Sequence, residues 1–436
     1  MTDLLIKPTK LKGTVNVPPS KSMAHRAIIS ACLAEGKSVI KNIDLSDDII
    51  ATIEGMRSFG SSIRILEDGA RKRLEIEGIT LNQTSENRLI DANESGSTLR
   101  FFIPIATLFE GKTRFIGRGK LGSRPLDTFE KIFNEQGLLY KPSGTSELDL
   151  TVEGPLKAGR YEMAGNVSSQ FITGLLFTLP LLTGDSEIVI TTELESIGYL
   201  ELTLEVLKDF GIQVDYDENN QVFTIPGNQH YQAQEYTVEG DYSQAAFFLS
   251  AGALGNDVKV TGLKQDSNQG DKGIMDILNQ LNADLEVEGD AVTVTAPIGL
   301  KGETVIDGAQ VPDIIPVSAL VASLSPGETK IINLKRLRIK ESDRLEATKE
   351  ELSKLGADIQ VVGDELHING VSQLQGGSVG WSHKDHRMAM MLAIASTVSD
   401  QEIVIRDADY VSKSYPTFWE EFESLGGQIS EWNMGK

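Results

Sequence analysis

Two carboxylates in this sequence sit where acid–base chemistry would use them. Glu341 lies between Lys340 and Arg344, and Asp313 stands just before the apolar run 314–322. A carboxylate among cations has a depressed pKa and stays ionised, which suits a proton acceptor. Each also has a plainer reading. Asp313 could simply cap a helix, and Glu341 could be a helix-entry charge favoured by the dipole. The residues themselves leave that choice open. Around them recur basic side chains: Lys21, Arg26, Arg100, Arg124, Lys340, Arg344, Arg387 and Lys413. Arginine suits bidentate capture of carboxylate and phosphate, while lysine supplies a compact charge. Any one alone would be a solvated surface charge. Their recurrence beside short polar openings favours sites for anions.

The elements that must position these residues show in a repeat. Polar openings lead into apolar runs at Ser20, Ser95, Ser168, Asp241, Asp313 and Asp385, with spacings of 75, 73, 73, 72 and 72 residues. Ser or Asp at each opening predicts a helix N-cap. The runs that follow are apolar nearly all round, so these helices belong in the interior. β-branched segments come next, at 37–43, 112–116, 186–191, 258–261, 329–334 and 402–405, and read as strands. A second, amphipathic helix follows in most units. The clearest begins at Asp343, with Leu345, Leu352 and Leu355 on one face and Gly356 beyond its end. A hairpin, as at 357–368, closes the unit.

Six such units predict an α/β protein of two similar domains, three units each. The change-over falls near 235–240, so residues 20–237 form an inserted domain and residues 1–19 with 238–436 a discontinuous one. The lead-in strand at 3–17 has no unit of its own and would complete the second domain. If the three inner helices of a domain point the same way, their N-termini gather unsatisfied N–H groups at one face. Two such faces, hinged around an interdomain cleft, would suit anionic ligands.

Composition narrows the partners. The formal charge of -22 repels nucleic acid and acidic membranes, so neither is expected to bind. It also means that any anion site must be built locally. The single cysteine, Cys32, excludes an internal disulfide, and residues 1–10 lack the apolar core of a signal peptide. The longest apolar stretch, 171–183, contains Pro180 and is too short to span a bilayer. A cytoplasmic location is expected. His383 and His386 lack partners at zinc spacing, so no metal is expected. There is no phosphate-binding Gly-x-x-x-x-Gly-Lys-Ser/Thr loop. The Gly-x-Gly-x-x-Gly spacing at 117–122 lacks a strand–turn–helix setting.

Seven stretches together carry a family resemblance: Pro19-Ser-Lys-Ser with Arg26, Ser95-Gly-Ser-Thr-Leu-Arg100, Ser123-Arg-Pro125, Ser168-Ser-Gln170, Arg338-Ile-Lys-Glu-Ser-Asp-Arg344, Asp385-His-Arg-Met-Ala-Met390 and Lys413-Ser-Tyr-Pro416. Over essentially the whole chain they resemble the 5-enolpyruvylshikimate-3-phosphate synthase family of enolpyruvyl transferases. The resemblance implies the inverted-barrel fold of that family, with three βαβαββ units in each of two domains. It implies transfer of the enolpyruvyl group of phosphoenolpyruvate to the 5-hydroxyl of shikimate 3-phosphate, without a cofactor, by a monomer.

It further implies that Lys21, Ser22, Arg26, Ser168, Ser169, Gln170 and Ser196 contact shikimate 3-phosphate, with Asp313 and Lys340 reaching it from the other domain. Lys21, Gly96, Arg124, Gln170, Arg344, Arg387 and Lys413 would hold phosphoenolpyruvate. Asp313 would take the hydroxyl proton, and Glu341 and Lys21 would carry the proton of the methylene carbon. Gly96 would leave room for the herbicide glyphosate. Glu94 stands where many members of the family carry asparagine, and Arg336 where some do. The sister UDP-N-acetylglucosamine enolpyruvyl transferases carry a reactive cysteine in the loop that here spans 117–125, which has none. A third reading is a binding protein that closes over a phosphorylated metabolite; Asp313 and Glu341 among the cations favour an enzyme.

Overall fold

Each apolar run folds as a buried helix. The six inner helices are Lys21–Leu33, Gly96–Ala106, Ser169–Thr178, Tyr242–Ala253, Ile315–Ser323 and His386–Ser396, in a computed structural model that describes residues 2–81, 87–144 and 147–432. Five start on a side-chain cap. Ser20 accepts from the Met23 amide, Ser95 from Thr98, Ser168 from Gln170, Asp241 from Gln244 and Asp385 from Arg387. Each cap satisfies one orphan N–H and contributes about 1 kcal/mol.

The fifth opening corrects the expectation. The residue before the helix is Ile314, with no side-chain cap, and Asp313 lies one position earlier. Pro316 occupies the second helical position and has no N–H to offer a cap. The Asp313 carboxylate is turned instead toward Lys340 and Arg344, at 3.1 and 2.7 Å.

Strands assemble into four-stranded sheets of one repeated order. In the second unit, Arg88–Asp91 pairs parallel with Thr113–Gly117, which pairs antiparallel with Leu148–Glu153, and that with Leu139–Pro142. The parallel pair needs a crossover, and the inner helix supplies it. The outer helix, Asp127–Gln136 in this unit, stops at Gly137, whose φ of 70° a side-chain-free residue adopts readily.

The lead-in segment is two strands, not one. Leu4–Lys7 inserts antiparallel between Ile403–Arg406 and Gln428–Glu431, while Lys12–Asn16 pairs parallel with Asp257–Thr261 in another sheet. Pro8, which cannot donate to a ladder, separates them. Likewise Glu235–Thr237 returns to pair with Lys37–Ile43, completing the sheet of the first unit.

The chain divides into an inserted unit, Pro19–Val238, and a split unit, Met1–Pro18 with Glu239–Lys436. Each has its own apolar core. No described helix is long and apolar enough to cross a membrane.

Candidate functional site

In the inserted unit, hydrogen bonds tie the openings of the three inner helices together. Lys21 Nζ lies 2.8 Å from Asp48 Oδ2, and the Asp48 carbonyl faces Thr98 Oγ1 at 3.5 Å. Thr98 reaches Ser95 Oγ at 2.8 Å and Thr52 at 2.8 Å, and Thr52 meets His25 Nδ1 at 2.7 Å. Burial pulls His25 down to about 3, so its imidazole is neutral at pH 7 and the chain ends on an uncharged group behind the Lys21–Asp48 ion pair. The second and third openings are joined by Arg100, whose Nη1 donates to Gln170 Oε1 at 3.0 Å, and by Gln170 Nε2, which donates to Ser97 Oγ at 2.9 Å. The Arg124 guanidinium lies over Gly96. A Cβ there would stand 2.6 Å from Nη1 and 2.9 Å from Cζ.

Arg26 is 3% exposed and donates to three neutral oxygens: Thr203 Oγ1, the Ser22 carbonyl and the Tyr199 carbonyl, at 2.7–2.8 Å. Burial lowers its pKa to about 10. Ser196, fully buried with φ 56°, starts the helix Ile197–Asp209 that carries Tyr199 and Thr203. Ser22, Ser168 and Ser169 lie at the first and third openings.

In the split unit the openings are joined by ion pairs. Asp313 accepts from Lys340 at 3.1 Å and Arg344 at 2.7 Å, and Arg387 Nη2 is 3.7 Å away. Arg387 Nη1 donates to the Ser243 carbonyl at 3.0 Å, linking the sixth opening to the fourth. Arg344, 1% exposed, also binds Glu341 at 2.8 Å and Asp385 at 2.7 and 3.2 Å. Four of its five N–H donors are thus engaged. Lys413 is buried at the end of the turn Ala408–Lys413, which packs on the sixth inner helix.

Burial opposes ionisation of Asp313, yet Lys340, Arg344 and Arg387 outweigh it and hold its carboxyl well below the usual range. At Lys340 burial wins: its ammonium is pulled below its ordinary value although Asp313 pushes the other way. Asp271 shows the reverse case. Burial, then the Asp313 charge, raises it to about 6, while Ser243 Oγ donates a hydrogen bond to it and pulls the other way.

The residues singled out by sequence therefore fall into two sets. Lys21, Ser22, Arg26, Gly96, Arg124, Ser168, Ser169, Gln170 and Ser196 belong to the inserted unit; Asp313, Lys340, Glu341, Arg344, Arg387 and Lys413 belong to the split unit. Sequence reasoning missed Asp48, Asp271 and the ion-pair role of Asp385. Asp385 reads as a cap, which it is, but nothing in its neighbourhood announces an arginine 41 positions away. Glu94 folds over Gly119, its carboxylate Oε1 2.6 Å from where a Cβ would sit. Arg336 is 8% exposed and its charge helps depress Lys340.

Residues 5–422 match the model of the family described as EPSP synthase (3-phosphoshikimate 1-carboxyvinyltransferase). The chain is 55% identical to the 3-phosphoshikimate 1-carboxyvinyltransferase of Clostridium beijerinckii and 54% identical to that of Clostridioides difficile, in each case over 100% of both chains. Among solved structures, an EPSP synthase from Acinetobacter baumannii superposes with a TM-score of 0.80 at 24% identity, covering 99% of this chain and 100% of that one. The enolpyruvyl transferase NikO from Streptomyces tendae superposes with a TM-score of 0.80 at 16% identity, covering 100% and 99%. At those identities the likeness establishes the fold.

Proposed function

The chain belongs to the EPSP synthase family, and from that premise we propose that it transfers the enolpyruvyl group of phosphoenolpyruvate to the 5-hydroxyl of shikimate 3-phosphate, releasing phosphate. The observation that carries the reading is Asp313, a carboxylate ionised and gripped by Lys340 and Arg344 at the mouth of an inner helix. The chemistry is addition followed by elimination. The methylene carbon of phosphoenolpyruvate gains a proton, the hydroxyl oxygen bonds to the neighbouring carbon, and Asp313 takes the hydroxyl proton. The tetrahedral adduct then expels phosphate and returns a methyl proton, restoring the double bond. Glu341 and Lys21 carry that proton in and out.

The ion pairs give this order a physical basis. With its cations engaged, Asp313 is a weak base. Substrate carboxylate and phosphate groups compete for Lys340, Arg344 and Arg387. Once those charges are shared, Asp313 gains proton affinity, so the base strengthens when substrate is present. Lys21, Gly96, Arg124, Gln170, Arg344, Arg387 and Lys413 take phosphoenolpyruvate. Lys21, Ser22, Arg26, Ser168, Ser169, Gln170, Ser196, Asp313 and Lys340 take shikimate 3-phosphate. The enzyme acts as a monomer in the cytoplasm.

Cys32 supports this acceptor over a nucleotide sugar. It is fully buried and pushed up to about 12, so the chain's one thiol is inert. The test is phosphate release on mixing phosphoenolpyruvate and shikimate 3-phosphate, with UDP-N-acetylglucosamine as the control acceptor. Release only with the nucleotide sugar, or tight binding of both substrates without release, would defeat the reading.

A further inference from the structure

The segment that leads into the sixth inner helix is held in an unusual backbone. Among the described residues, His383 (φ 52°) and Lys384 (φ 57°) are the only consecutive non-glycine residues in the left-handed region. L-residues avoid that region because Cβ crowds the following carbonyl, so two in a row need an outside hold. Immediately after them come Asp385, which caps the helix and binds Arg344, and Arg387. An error in this turn would therefore displace two of the charges around Asp313.

The hold comes from Glu351, one residue of the outer helix Arg344–Lys354. Its side chain is fully buried. One carboxylate oxygen lies 2.7 Å from His383 Nε2; the other accepts from the Trp381 amide at 3.0 Å. Lys354 Nζ donates to the first at 2.7 Å. Arg344 and Glu351 stand seven positions apart, about two turns of one helix. The same outer helix thus grips the entering segment twice, at Asp385 through Arg344 and at Trp381 and His383 through Glu351. Ser382 Oγ adds a third anchor by donating to the Asp407 carbonyl at 3.0 Å.

Ligand atoms of Glu350, Glu351 and His383 also lie within 4.8 Å of one another, as a metal site would require. Here the Lys354 ammonium stands 2.9 Å from Glu350 and 2.7 Å from Glu351, and supplies the positive charge itself.

We propose that Glu351 is a positioning residue for phosphoenolpyruvate binding: its buried carboxylate locks the left-handed turn at His383 and Lys384 and thereby sets where Asp385 and Arg387 begin the sixth inner helix. This rests on the reading of Arg387 as a phosphoenolpyruvate contact. Glutamine at 351 keeps one acceptor but loses the charge that serves His383 and Lys354 together. Glycine at 384, an exposed position, enters the left-handed region without strain.

The test measures steady-state constants for Glu351→Gln, Lys384→Gly, the double variant and Arg387→Ala, with thermal midpoints for each. Glu351→Gln should raise KM for phosphoenolpyruvate about tenfold and that for shikimate 3-phosphate less than twofold. The double variant should recover at least half of the lost affinity, although its midpoint stays as low as that of Glu351→Gln. Equal changes in both KM values, or no recovery in the double variant, would reduce Glu351 to a stability element and overturn the proposal. Loss of wild-type activity on dialysis against EDTA would overturn it in favour of a metal site. If Arg387→Ala leaves the KM for phosphoenolpyruvate unchanged, the substrate reading of Arg387 falls and the proposal with it. If that variant is impaired and Glu351→Gln is not, only the proposal falls.

Discussion

The inserted and split units repeat one architecture but hold their cations in different ways. In the inserted unit, the caps of all three inner helices are serines, Lys21 pairs with the single carboxylate of Asp48, and the buried Arg26 is fixed by three neutral oxygens. In the split unit, two of the caps are aspartates, and Arg344 is wrapped by three carboxylates. Neutral oxygens orient a guanidinium without cancelling its charge, so the attraction for an incoming anion persists. Carboxylates cancel it, so an anion must compete and thereby changes the proton affinity of the group it displaces. On the proposed function, the inserted unit would offer Arg26 as part of a fixed anion cradle, and the split unit an exchangeable network that couples binding to proton transfer.

The sharpest way to break this contrast is Asp313→Ala. It should lower kcat by about 10²–10⁴-fold, the usual contribution of a general base. Because Lys340 and Arg344 lose a competitor, KM for phosphoenolpyruvate should stay level or fall. Equal loss of turnover and affinity would remove the exchange argument. On the fixed side, Gly96→Ala puts a methyl group against the Arg124 guanidinium. KM for phosphoenolpyruvate should rise about tenfold, equivalent to roughly 1.4 kcal/mol, with kcat changing much less. A comparable fall in kcat would mean that Arg124 takes part in the network rather than in a cradle.

Arg26→Lys keeps the charge but cannot reproduce the three-way fork. KM for shikimate 3-phosphate should rise about three- to tenfold, and unfolding stability should fall by about 1–3 kcal/mol, the usual loss when buried acceptors go unmet. An unchanged KM would take Arg26 out of the substrate site.

The smallest effect concerns pH. Asp271 is raised to about 6, above the value near 3.9 expected in the unfolded chain, so the folded state binds its proton more tightly. Its contribution to stability is full below about pH 3.9 and is lost as pH rises toward 6. Asp313 is depressed, so its contribution is present above the unfolded value and lost only at strongly acidic pH. Asp271→Asn should therefore raise the denaturation midpoint relative to the parent at pH 7.5, with the gain shrinking to nothing near pH 4. A gain that persists at pH 4 would assign the effect to packing rather than to ionisation.

The sixfold rhythm, the buried inner helices and the caps at Ser20, Ser95, Ser168, Asp241 and Asp385 are legible along the chain, because these depend on residues a few positions apart. The cationic openings were legible for the same reason. Three features depend on contacts between distant segments. Pro316 denied Asp313 a cap, yet Lys340 and Arg344, about thirty positions away, gave its carboxylate partners. The segment at 3–17 split between two sheets because each had a vacant strand position formed by distant chain. Glu351, unremarked among the charges of an amphipathic helix, became a buried anchor because folding brought His383 and Trp381 against it. Local propensity sets which residues can cap, turn or carry charge. Which charges meet depends on distant segments brought together at close range, and spacing along the chain does not record that.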